Sequence, residues 1–206
     1  MKLKQILSAI NELPYFSKQN LGLFIGKESE NLNYWVKKLM REDLIIQVKK
    51  GLFVPGDFRK RGEDDLYYLA NVLRYPSYVS LESVLSKNAI IPETAFAITS
   101  VTTKSSRIFR SKIGLFIYRT VKPELFYGFK AGKPKIAGSA KALFDFLYLK
   151  KFDSTQAMKK YLLEEGRINW LAMSPREMAK FARIVNDTKL VKMQKILAIL
   201  KKERIC

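Results

Sequence analysis

The sequence predicts an α+β fold: an N-terminal winged helix-turn-helix, then a mixed α/β domain that ends in helices. Three observations carry this. Three helical patterns and a hairpin signal follow one another within the first 55 residues. Residues 95–129 are rich in β-prone side chains broken by Gly and Pro. Residues 139–203 return to helical periodicity. Between the two parts, GDFRKRGE at 56–63 is polar and flanked by glycine, which reads as a linker joining a 1–58 domain to a 64–206 domain.

Each element has its own signal. In residues 2–13, Leu3, Ile6, Leu7, Ile10 and Leu13 form one helical face, and Pro14 ends it. Ser17 is placed to N-cap a helix over 18–25 built on Leu21, Phe24 and Ile25. After a turn at Gly26-Lys27, a third helix over 29–42 buries Leu32, Trp35, Val36, Leu39 and Met40. Two β-prone runs, 44–48 and 52–55, flank Lys49-Lys50-Gly51, a hairpin signal. In the second part, Leu66, Leu69, Ala70 and Leu73 predict a helix over 64–74, broken by Pro76, with a short helix over 80–88 behind it. Strands are expected at 95–103, near Ile108, at 115–121 and at 125–129. Helices are expected at 139–150, 154–165, 175–185 and 188–203. Ser174-Pro175-Arg176-Glu177 has the pattern of a capping box.

Composition sets the chemistry. Of 206 residues, 48% are hydrophobic and 28% charged, the make-up of a chain that can bury a core. Lys and Arg number 38 against 19 Asp and Glu, a formal net charge of +19. The surplus is spread: 12 basic against 7 acidic in 1–63, and 13 against 6 in each of 64–150 and 151–206. A basic excess built into folded parts implies an anionic partner. The absence of histidine excludes Ser-His-Asp and Cys-His triads and the usual zinc sites. The lone Cys206 cannot make an internal disulfide. With no signal peptide at MKLKQILSAINEL and no run near ~18 apolar residues, a cytoplasmic protein off the membrane is expected.

In a winged helix the third helix lies in the major groove of double-stranded DNA, so its outer face must be polar and basic. Asn31, Tyr34, Lys38 and Arg41 fall on one such stripe, with Lys37 beside it. Asn suits adenine, Arg or Lys suits guanine, and Tyr suits phosphate. Lys27 and Ser29 would meet the DNA backbone at the helix start. Lys18 and Gln19 open the second helix, where a phosphate is commonly clamped. Lys49 and Lys50 sit at the hairpin tip. The second part offers Thr103, Lys104, Arg107 and Arg110 in an expected loop with Thr102, Ser105, Ser106 and Lys112. A plainer reading exists for each: a solvated helix face, an ordinary cap, an exposed turn. Lys130, Lys133 and Lys135 form another basic turn with the same two readings.

Catalytic motifs fail on inspection. Gly22-x-x-x-Gly26-Lys27 and Gly128-x-x-x-Gly132-Lys133 are each one residue short of a phosphate loop and lack its hydroxyl. Asp64-Asp65 and Glu164-Glu165 read as solvated helix positions. Asp145, set among apolar residues, reads as capped or salt-bridged structure. No cofactor, metal or enzymatic activity is expected. The rivals are an enzyme acting on nucleic acid with a winged-helix docking module, and a basic protein-interaction module.

Several segments in order resemble a known family. They are Lys49-Lys50-Gly51-Leu52-Phe53; Tyr78-Val79-Ser80-Leu81-Glu82-Ser83-Val84-Leu85 with Ile90-Ile91; Thr102-Thr103 followed by Phe116-Ile117-Tyr118; and the run from Ile136 through Gly138, Lys141 and Asp145 to Leu149. Over roughly residues 5–150 the chain resembles the AbiEi antitoxins of type IV abortive-infection toxin–antitoxin systems. It departs from their pattern at Ser139-Ala140, where Pro-Glu is usual, and at Asp43, where Gly is usual. The resemblance implies an autorepressor that binds inverted repeats in its promoter through the winged helix. It also implies a C-terminal antitoxin domain that counteracts a nucleotidyltransferase toxin without a stable complex. It supplies no active site.

Overall fold

The computed structural model describes residues 3–27 and 29–205; the side chains of residues 3–6 and Ser29 lie outside the described set, as does Cys206. The fold is mixed α+β with two sheets. Among the described residues, no helix is long and apolar enough to cross a membrane.

The first part runs α1 (Leu3–Asn11), β1 (Phe16–Ser17), α2 (Lys18–Ile25), α3 (Ser29–Arg41), β2 (Ile45–Lys49) and β3 (Leu52–Pro55). The expected hairpin forms around a two-residue turn, Lys50-Gly51, with Gly51 at φ +77°. β1 adds a third, antiparallel strand, Phe16 opposite Phe53, so the sheet order is β1-β3-β2. Ser17 caps α2 as expected: its hydroxyl accepts from Asn20 N at 3.0 Å and the Asn20 side chain accepts from Ser17 N.

The hairpin buries both faces. Ile45 and Phe53 join Ile10, Phe16, Leu21, Leu32, Val36 and Leu39 in a small core between the helices. Ile46, Val48, Leu52 and Val54 face the other way and belong to the large core of the second part. Two buried faces explain why these strands read as nearly unbroken apolar runs and not as an alternation. The corner into β2 is tight: a Cβ at Gly56 would sit 1.9 Å from the Asp43 carbonyl oxygen, so only glycine fits there.

The expected linker is a packed turn. Residues Gly56–Lys60 form a 3₁₀ turn whose Phe58 is fully buried in the large core. Arg59 donates to the Lys112 carbonyl, and Arg61 to the Asn11 carbonyl at 2.5 Å. Both ends of the turn are therefore fastened, one to each part of the chain.

The second part runs α4 (Glu63–Leu73), β4 (Ser77–Val79), α5 (Glu82–Lys87), β5 (Ala97–Thr102), β6 (Arg107–Ser111), β7 (Gly114–Thr120), β8 (Phe129–Lys130), β9 (Ile136–Ala137), α6 (Ser139–Leu149), α7 (Thr155–Lys160), α8 (Pro175–Thr188) and α9 (Val191–Lys202). A single π-helical turn, Tyr161–Glu165, extends α7. The sheet order is β6-β7-β5-β4-β9-β8, with β5/β7 and β4/β9 parallel and the other pairs antiparallel. Two expectations change. Residues 125–129 are not a strand, since Pro123–Leu125 is a 3₁₀ turn and pairing starts only at Phe129. Ser80 does not open a helix; it is buried and its hydroxyl donates to Asp145.

The capping box at Ser174 is half formed. The Ser174 hydroxyl accepts from Glu177 N at 3.2 Å. Glu177 does not reach back; its Oε2 accepts from Ala140 N at 3.0 Å, in the first turn of α6. One carboxylate thus satisfies an orphan amide of a second helix and ties α8 to α6. At the far end of α6, Lys192 of α9 donates to the Tyr148 and Lys150 carbonyls.

Candidate nucleic-acid interface

α3 is amphipathic, and its apolar residues fix its orientation. Leu32, Val36 and Leu39 are buried, which turns Asn31, Tyr34, Lys37 and Arg41 outward, all exposed. Tyr34 is 62% exposed and meets Trp35 edge-on at 6.3 Å. Lys38 is half-buried with its ammonium 5.1 Å from the Trp35 ring centre. Among the described residues, Lys37, Lys38 and Arg41 make no ion pair.

The start of α2 adjoins this helix. Lys18 Nζ donates to Asn33 Oδ1 at 2.5 Å, and Lys18 N donates to the Gly51 carbonyl at 3.2 Å. α2, α3 and the hairpin turn are thereby joined at one place. Gln19 and Lys27 are exposed. Ser29 begins α3, but the sequence expectation for its side chain falls outside the described residues.

The two hairpin lysines part company. Lys50 is exposed at the turn. Lys49 is not a free tip cation: its ammonium donates to the Leu73 carbonyl at 2.9 Å, at the C-terminal end of α4. Burial holds its pKa below the usual lysine range, helped by the positive charges of Arg107, Arg74 and Lys104. Lys49 therefore joins the hairpin to the second part.

The expected basic loop at 102–112 is mostly strand. Only 103–106 lie between β5 and β6. Thr102 is buried and donates to the Pro76 carbonyl at 2.6 Å; Thr103 is half-buried and Lys104 exposed. Arg107 and Arg110 are both exposed, but they lie three apart on β6 and so point to opposite faces of the sheet. Arg107 lies 5.3 Å from the Phe109 ring. Lys112 is committed to Asp43 at 2.7 Å. The structure thus gathers Lys49, Arg74, Lys104 and Arg107 and leaves Arg110 apart. Arg74, missed in the sequence, donates to the Ser105 carbonyl and hydroxyl at 2.7 and 2.8 Å. Its only sequence signal was a basic residue at the end of a helix.

Asp145 is fully buried beside Lys141. Lys141 Nζ donates to its carboxylate at 2.6 Å and to the Leu125 carbonyl at 2.9 Å. Tyr78 and Ser80 hydroxyls donate to its other oxygen at 2.9 and 2.8 Å. Every carboxylate oxygen is occupied, the mark of a structural ion pair. No protein-family model matches this chain, and no curated protein matches it.

Proposed function

We propose that this protein is a DNA-binding transcriptional autorepressor and antitoxin of a type IV toxin–antitoxin system, resident in the cytoplasm. The first part is read as a winged helix-turn-helix. Its order of helix, strand, two helices and hairpin, with the sheet order β1-β3-β2, supports that reading. The observation that carries it is the outward stripe Asn31, Tyr34, Arg41, with Lys50 exposed at the hairpin turn and, among the described residues, in no ion pair. In this reading Asn31, Lys38 and Arg41 meet base edges. Lys50, Lys18 and Gln19 meet phosphates, with Lys104 and Arg107 extending the positive surface. The antitoxin role rests on the family resemblance alone.

Fluorescence anisotropy with the protein's own promoter and a scrambled duplex tests the first half. Arg41→Ala is expected to cost about 1–3 kcal/mol on the promoter and to relax sequence preference. Lys50→Ala is expected to weaken both duplexes alike and to lower the salt slope by about one. Equal affinity of the parent protein for both duplexes overturns base reading. Co-expression with the nucleotidyltransferase of a neighbouring gene, scored by growth rescue, tests the second half.

A further inference from the structure

A cleft of about 430 Å³ lies where the first part meets α4 and the 132–135 loop. Its walls are Tyr15, Tyr68, Val72 and Tyr75, with Lys133 and Lys135 at the rim. Tyr68 and Val72 stand one turn apart on α4, and Tyr75, two residues past the end of that helix, lines the same cleft. Tyr75 is 67% exposed, although an aromatic ring of this size gains by burial. Tyr15 meets Tyr68 with ring centres 6.1 Å apart. Lys133 lies 5.6 Å from the Tyr68 ring and Lys135 lies 5.2 Å from the Tyr75 ring.

The rim is held in place. Asn71 accepts from Lys135 N at 2.7 Å and donates to the Lys135 carbonyl at 3.3 Å, pinning this loop to α4. Among the described residues, no carboxylate lines the cleft and neither lysine has an acidic partner. A second cleft, of about 360 Å³, contains Glu63 already paired with Lys87, and a third, of about 330 Å³, sets Glu82 beside Arg119 and Lys150, so an acid lines each of them.

We infer that this cleft binds a mononucleotide, its base stacked on Tyr68 and Tyr75 and its phosphates on Lys133 and Lys135. Aromatic faces take any base, and unpaired ammonium groups take the anionic end. The volume suits one ligand of this size and not a strand of nucleic acid. The ligand would touch Tyr15 of the first part and α4 of the second. The site involves none of the α3 residues, so its fate is separate from that of the DNA reading.

Isothermal titration calorimetry on the full chain in EDTA tests it, with ATP, GTP, CTP and UTP as probes. Inorganic triphosphate and a six-nucleotide single strand are the comparison ligands. At least one nucleoside triphosphate is expected to saturate a single site at submillimolar concentration, with inorganic triphosphate at least tenfold weaker. Tyr75→Ala and Lys133→Ala, both at exposed positions, are each expected to weaken binding about tenfold or more. Lys50→Ala should leave it unchanged. Three results overturn the proposal: no saturable binding, inorganic triphosphate binding as well as the nucleotides, or Tyr75→Ala binding like the parent. Tighter binding of the single strand, with nucleotides bound only at millimolar levels, also overturns it.

Discussion

Asp43 shows how one side chain can do two jobs. Its backbone sits at φ +52°, the left-handed region that glycine usually fills and that Asp tolerates better than most residues. Its carboxylate pairs with Lys112, and the hydrogen bond with that ammonium holds its pKa below the usual range. A glycine here would relax the backbone but lose the tie to the turn between β6 and β7. Lys49 makes a similar link between the parts. Lys49→Ala is expected to cost about 1–2 kcal/mol in urea unfolding, because the Leu73 carbonyl loses a charged donor. On the proposed DNA-binding reading, promoter affinity should fall less than for Lys50→Ala; a larger fall would make Lys49 a DNA contact. The buried pair is more severe. Asp145→Ala is expected to destabilise by about 3–5 kcal/mol, since it strands the Lys141 charge along with the Tyr78 and Ser80 hydroxyls. Lys141→Met combined with Asp145→Leu should recover part of that loss by removing both charges.

At the level of elements, sequence and structure agree where the signal is local. α2, α3, the hairpin, α4, α6 and α8 were each legible from periodicity or caps, because helix faces and turn chemistry are written within a few residues. β1, β4 and β9 were not. Each is two or three residues long and exists only through pairing: Phe16 with Phe53, Val79 with both Ser100 and Ile136. Partners more than 20 residues away leave no local pattern. The candidate interface divided the same way. The α3 stripe follows from a helical period, whereas the diversion of Lys49 and Lys112 into the fold depends on distant groups. Glu177 makes this testable. Despite its burial, the Lys180 ammonium and the Ala140 amide hold its pKa below the usual carboxylate range. A depressed acid stabilises the fold above its unfolded value, about 4.3, and that contribution fades as pH falls through the folded value. Glu177→Gln is therefore expected to cost about 1 kcal/mol at pH 7 in thermal melts. The gap should close on acidification; a constant gap would mean Glu177 acts by shape alone.

For the whole molecule, the decisive fact is that the hairpin belongs to two cores. Ile45 and Phe53 close the small one, while Ile46, Val48, Leu52 and Val54 enter the large one with Phe58. Cutting the chain at the expected linker would therefore expose an apolar strand face on one fragment and leave a gap in the other. Residues 1–60 alone are expected to lack the dispersed amide spectrum of a folded domain, or to aggregate, and, on the proposed DNA-binding reading, to bind promoter DNA far more weakly than the full chain. Phe58→Ala should cost about 3–5 kcal/mol and lower the melting of both parts together. Tryptophan fluorescence separates the alternatives. Trp35 reports on α3 and Trp170 on the distal helices, so single-tryptophan variants should melt at one midpoint if the cores unfold together. Two midpoints, with a folded 1–60 fragment that keeps the full chain's affinity for the duplex, would show that the hairpin can leave the second part.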